Sequence, residues 1–122
     1  MNEVVLDASV MLAMIQYERG AEQVMDEILD RSVASTVNLA EVQSKLVKKG
    51  YTPDEAWEDT LSAVKTVELY TSDHARIAGD LITTTEKYGL SLGDRSCLAL
   101  AIALGRGTPV LSLGARKRAR RA

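Results

Sequence analysis

Four apolar runs of strand length recur along this chain, and helical sequence separates each from the next. They are EVVLD (3–7), SVAST (32–36), TVELY (66–70) and TPVLSL (108–113). Antiparallel strands can be joined by a two-residue turn, whereas parallel strands need a long crossover. The spacing therefore predicts crossover connections and a parallel sheet. Val4, Val5 and Leu6 form an unbroken apolar run, as suits a strand covered on both faces. The expected fold is a three-layer α/β/α domain with a central parallel sheet of four strands.

The intervening segments carry their own helix signals. Ala21, Val24, Met25, Ile28 and Leu29 fall on one helix face. A second helix is expected from about Asn38 to Lys49, closed by Gly50. In TPDEAWEDTLSAVK, Thr52 can cap, Pro53 takes the first helical position and Glu55 completes a capping box. Ser72 or Asp73 opens another helix, with Ile77, Ala78, Leu81 and Ile82 on one face and Gly89 at its end. GDRSCLALAIALG reads as a helix buried nearly all round, because residues 97–104 are all apolar.

A chain of 122 residues suffices for one domain with its own core. Phe is absent and there is one Trp, so the core must come from aliphatic side chains. A single cysteine, Cys97, allows no intrachain disulfide and suits a reducing compartment. One Cys and one His exclude a zinc site of the usual thiolate and imidazole type. The N-terminus has no basic region ahead of an apolar stretch, and no apolar run reaches the roughly 20 residues of a membrane span. The expectation is a cytoplasmic protein with no membrane association. Residues 116–121, RKRARR, hold 5 of the 15 basic residues. The rest of the chain carries 10 basic and 17 acidic residues, a net −7. A basic tail on an acidic body can contact nucleic acid through Arg116, Lys117 and Arg118, or serve as a solvated end.

In a parallel sheet, ligands bind beyond the carboxyl ends of the strands. Three acids are placed for that edge. Asp7 ends the first strand, Glu41 lies in the first turns of the helix after the second strand, and Asp94 opens the apolar helix. Each also has a structural role open to it. Asp7 could cap the next helix, Asp94 could complement the helix N-terminus with Ser91 as cap, and Glu41 could pair with Lys45. As a set, three carboxylates at one rim would repel unless a cation joined them. Hard oxygen donors favour Mg²⁺, with Mn²⁺ able to substitute. Such ions activate water and stabilise both oxygens of a phosphodiester displacement. Ser9 and Asn38 are nearby candidates for positioning phosphate or water.

The segments VVLDAS, STVNLAEVQSKLVKKG, YGLSLGDRSCLALAIALG and PVLSL resemble, in order and spacing, the PIN-domain ribonucleases, and among these the VapC-type toxins. The likeness spans about residues 3–113. It implies a Mg²⁺-dependent endoribonuclease acting on RNA. It also implies a homodimer held inactive by a cognate antitoxin. The family's acids match at Asp7, Glu41 and Asp94, and a family hydroxyl position matches Ser112. Gly114 stands where family members carry a fourth acid, and the short helix and last strand that normally follow are missing. The resemblance thus implies a PIN-like domain over 1–114 with a basic tail over 115–122. It leaves two readings: an active nuclease, or a weakened PIN domain that binds antitoxin or RNA without efficient cleavage.

Other residues suggest less. His74, the only histidine, falls near a helix start, away from the acids. Cys97 reads as a small core residue. Trp57, Leu61 and Val64 form an apolar stripe that suits the core, or a partner helix. A phospho-acceptor domain would want an Asp ending the third strand, where Tyr70 and Thr71 stand.

Overall fold

The computed structural model describes residues 2–16, 22–105 and 107–113. Strands β1 (Val4–Leu6), β2 (Ser32–Ser35), β3 (Thr66–Glu68) and β4 (Val110–Leu111) form one sheet in the order β3-β2-β1-β4. Every pairing is parallel: Val5 lies opposite Val33 on one side and Val110 on the other, and Ala34 opposite Val67. Helices α1 (Ala8–Ile15), α2 (Glu22–Arg31), α3 (Thr36–Lys48), α4 (Pro53–Ser62), α5 (Ser72–Asp80), α6 (Ile82–Thr85) and α7 (Leu92–Leu104) lie between the strands.

Alternation along β1 divides the core. Val4 and Leu6 point to one face and pack with Met11, Leu39, Val42, Leu46 and Ala56. Val5 points to the other and packs with Val33, Cys97, Leu100 and Ala101. A strand apolar on both faces therefore serves two cores, and the three-layer α/β/α architecture follows. No helix among the described residues is long and apolar enough to cross a membrane.

Local signals set most helix ends. α4 has the expected capping box: Thr52 Oγ1 accepts from Glu55 N at 3.2 Å, and Glu55 Oε1 accepts from Thr52 N at 3.3 Å. α3 starts two residues earlier than expected, because Ser35 Oγ accepts from Val37 N and caps it. α5 opens at Ser72 as expected, with Thr71 before it as the cap. The helix expected to run on to Gly89 breaks after Asp80. There Thr83 donates to the carbonyl of Asp80, and Thr84 and Thr85 donate to that of Leu81. Such bonds compete with regular helix geometry.

Two burial expectations are corrected. α7 is not buried all round: Ile102 is 54% exposed, because it lines an open groove with Leu98, Thr108 and Val110 beside β4, the edge strand of the sheet. On α4, Val64's neighbours in the stripe are not core either. Trp57 and Leu61 are 40% and 43% exposed, while Ala56 and Thr60 are the helix's buried residues.

Candidate active site

From β1 the chain winds outward to β2 and β3, then returns to β4 on the opposite side of β1. The strand order thus reverses at β1, and at such a switch point a parallel sheet opens a crevice beyond the carboxyl ends of its strands. A cavity of about 160 Å³ lies there, lined by Asp7, Leu90, Asp94, Cys97, Leu98, Val110 and Ser112. Asp7 comes from the end of β1, Ser112 from the end of β4, and Asp94 from the start of α7.

Asp7 is 4% exposed and caps α1. Its Oδ1 accepts from the Ser9 hydroxyl at 2.6 Å and from Val10 N at 3.1 Å. Ser9 Oγ in turn accepts from Leu113 N at 2.9 Å, tying the segment after β4 to the Asp7 carboxylate. Asp94 and Ser91 form a capping box, with Ser91 N donating to Asp94 Oδ2 at 3.0 Å and Asp94 N to Ser91 Oγ at 3.1 Å. A carboxylate there also meets the positive end of the helix. The next residue, Arg95, sends its guanidinium to the carbonyl of Ala78 on α5, at 2.8 Å.

Glu41 does not line this cavity. It stands on α3 facing the start of α7. Its Oε1 accepts from Asn38 Nδ2 at 3.2 Å, and its Oε2 lies 3.6 Å from Lys45 Nζ. That pair is half-exposed and contributes little to stability. Asn38 is fully buried; its Nδ2 also donates to Gly93 O at 3.3 Å, and its Oδ1 accepts from the Cys97 thiol at 3.1 Å. All three structural roles open to the acids are therefore filled. Yet the acids also share surroundings. Burial raises the Cys97 thiol far above its ordinary range, and the charges of Asp7, Glu41 and Asp94 raise it further. His74 packs edge-on to Tyr70 and is not among the residues lining the cavity.

Sequence reasoning gave no role at this site to Gly93 or Leu90. Gly93 had a signal: glycine in a helix's first turn is locally unfavourable. Gly114, the tail residues Arg116, Lys117 and Arg118, and the boundary between 114 and 115 lie outside the described residues.

Among the described residues, no three His, Cys, Asp or Glu side chains form a ready-made cluster able to hold a metal ion. The donors still suit a hard cation. Two carboxylates and a hydroxyl line one crevice, and Mg²⁺ commonly takes one or two carboxylates with waters completing its shell.

No curated protein matches this chain. Among solved structures, a toxin–antitoxin complex from Klebsiella pneumoniae aligns with a TM-score of 0.65 at 17% identity, covering 90% of this chain and 85% of that one. DNA-bound VapBC from Salmonella typhimurium gives 0.68 at 16%, covering 91% and 98%. VapBC2 from Rickettsia felis, bound to a promoter DNA fragment, gives 0.60 at 17%, covering 89% and 86%. At these identities the likeness is one of fold. The PIN domain model matches residues 4–116. With a match over nearly its whole length, this chain belongs to the PIN domain family.

Proposed function

We propose that this protein is a divalent-cation-dependent endoribonuclease and the toxin of a toxin–antitoxin pair. The observation that carries the reading is the meeting of Asp7 and Asp94 at one crevice between β1 and β4 of a PIN domain. Asp7 and Asp94 would hold the cation, Mg²⁺ or Mn²⁺, and Glu41 would join them directly or through water. When bound, the cation supplies charge to phosphodiester oxygens and makes water a stronger nucleophile. Ser9 and the amide of Val10 orient the Asp7 carboxylate. Ser112 lines the same crevice and offers a hydroxyl to phosphate or water. Asn38 acts from behind Glu41. Arg116, Lys117 and Arg118 would contact RNA phosphates, a sequence-independent attraction.

The structural neighbours are, by their own descriptions, toxin–antitoxin and VapBC complexes, which supports an antitoxin partner. The exposed Trp57 and Leu61 of α4 and Val47 of α3 offer it an apolar surface. The protein works in the cytoplasm as a homodimer in this reading, in keeping with its free, buried Cys97.

A second reading has one observation in its favour. Gly114 stands in place of an acid, which points to a weakened domain that binds without efficient cutting. Induced expression in a bacterial host separates the two. Growth arrest by the wild type, relieved by Asp7→Ala, supports the active toxin. Harmless overproduction that becomes toxic only with Gly114→Asp supports the weakened domain.

A further inference from the structure

We infer that Asn38 and Gly93 are positioning residues that set where the Glu41 carboxylate stands. The inference rests on the nuclease reading for what Glu41 does. It rests on geometry for how Glu41 is held.

Asn38 is fully buried and uses both ends of its amide. Its Nδ2 donates to Glu41 Oε1 at 3.2 Å and to Gly93 O at 3.3 Å, while its Oδ1 accepts from Cys97 at 3.1 Å. One side chain therefore ties the acid of α3 to two residues of α7. Gly93 makes room on the other side. A Cβ built at this glycine would stand 2.6 Å from Glu41 Oε1 and 3.2 Å from Glu41 Cδ. The carboxylate occupies the space that any other residue would fill. Gly93 lies between Leu92 and Asp94 in the first turn of α7, so the fit brings Glu41 beside the residue preceding Asp94.

This accounts for a glycine where helix propensity disfavours one. It also separates function from stability. The clash would be with the far end of a flexible side chain, which relieves it by moving. Gly93→Ala should thus displace the carboxylate without unfolding the helix. Asn38→Ala should release it from the opposite side and also loosen the contact between α3 and α7.

The test measures Mn²⁺ binding by calorimetry, beside thermal melting, for wild type, Gly93→Ala, Glu41→Ala and the double variant. Gly93→Ala is expected to melt within a few degrees of wild type and to bind Mn²⁺ about tenfold or more weakly, the usual effect of losing an orienting partner. On the Glu41→Ala background the same substitution should weaken binding no further and should raise the melting temperature, since only the propensity gain remains. Asn38→Ala, which carries a stability cost, should likewise lose its effect on binding once Glu41 is gone. Equal Mn²⁺ binding by wild type and Gly93→Ala would overturn the inference, as would additive losses in the double variant. The nuclease reading fails separately, if wild type binds no Mn²⁺ or if Asp7→Ala binds it unchanged.

Discussion

The Ser9 hydroxyl donates to the Asp7 carboxylate at 2.6 Å while accepting from the Leu113 amide at 2.9 Å. One hydroxyl thus joins the end of β1 to the segment leaving β4. Removing it takes away one of the hydrogen bonds that hold an acid only 4% exposed. Ser9→Ala should cost about 1 kcal/mol of stability, the usual worth of such a bond. It should also lower cleavage about tenfold through a less ordered Asp7. Urea denaturation and a steady-state RNA assay check the two effects. Full activity in Ser9→Ala would show that Asp7 does not depend on this bond.

At the start of α7, Ser91 and Asp94 bond each other's backbone reciprocally. Ser91→Ala should destabilise the fold by about 1 kcal/mol, as loss of a cap does. Asp94→Asn keeps an acceptor for Ser91 N but loses the charge. It should stay folded while losing cation binding. Urea midpoints and Mn²⁺ calorimetry on the two variants test this division.

Cys97 makes stability fall in alkali. Its pKa is raised in the folded state, first by burial and then by the charges of Asp7, Glu41 and Asp94. Below the unfolded thiol pKa, about 8.5, both states hold the proton and the contribution is intact. Above it the unfolded state releases the proton while the folded state keeps it, so stability declines by up to about 1.4 kcal/mol per pH unit. Urea midpoints between pH 8 and pH 10 should fall more steeply for wild type than for Cys97→Ala. Parallel slopes would show that the thiol contributes nothing.

Trp57 is the sole tryptophan and is 40% exposed. Its fluorescence should be quenched readily by acrylamide in the free protein and protected when the antitoxin covers α4. Unchanged quenching in the complex would place the antitoxin elsewhere.

The fold was legible because its determinants are local or periodic. EVVLD carries two-sided burial in a three-residue apolar run, and TPDEAWEDTLSAVK writes its cap into consecutive residues. The break after Asp80 was not legible, because Thr83, Thr84 and Thr85 are compatible with a helix until their hydroxyls find carbonyls. The exposure of Trp57 and Ile102 depends on what lies outside α4 and α7, which an apolar pattern does not encode. Asp7 and Asp94 could be placed at one rim from topology alone. The space Gly93 leaves for Glu41 is a contact between residues 52 positions apart, and only coordinates reveal it.

The most direct test of the account is cleavage of single-stranded RNA by purified protein in Mg²⁺ or Mn²⁺. The account predicts cutting that stops in EDTA and returns with the cation. Folded Asp7→Ala and Asp94→Ala should lose about 100-fold or more. Cutting that persists in EDTA, or that both folded variants retain at the wild-type rate, would contradict it.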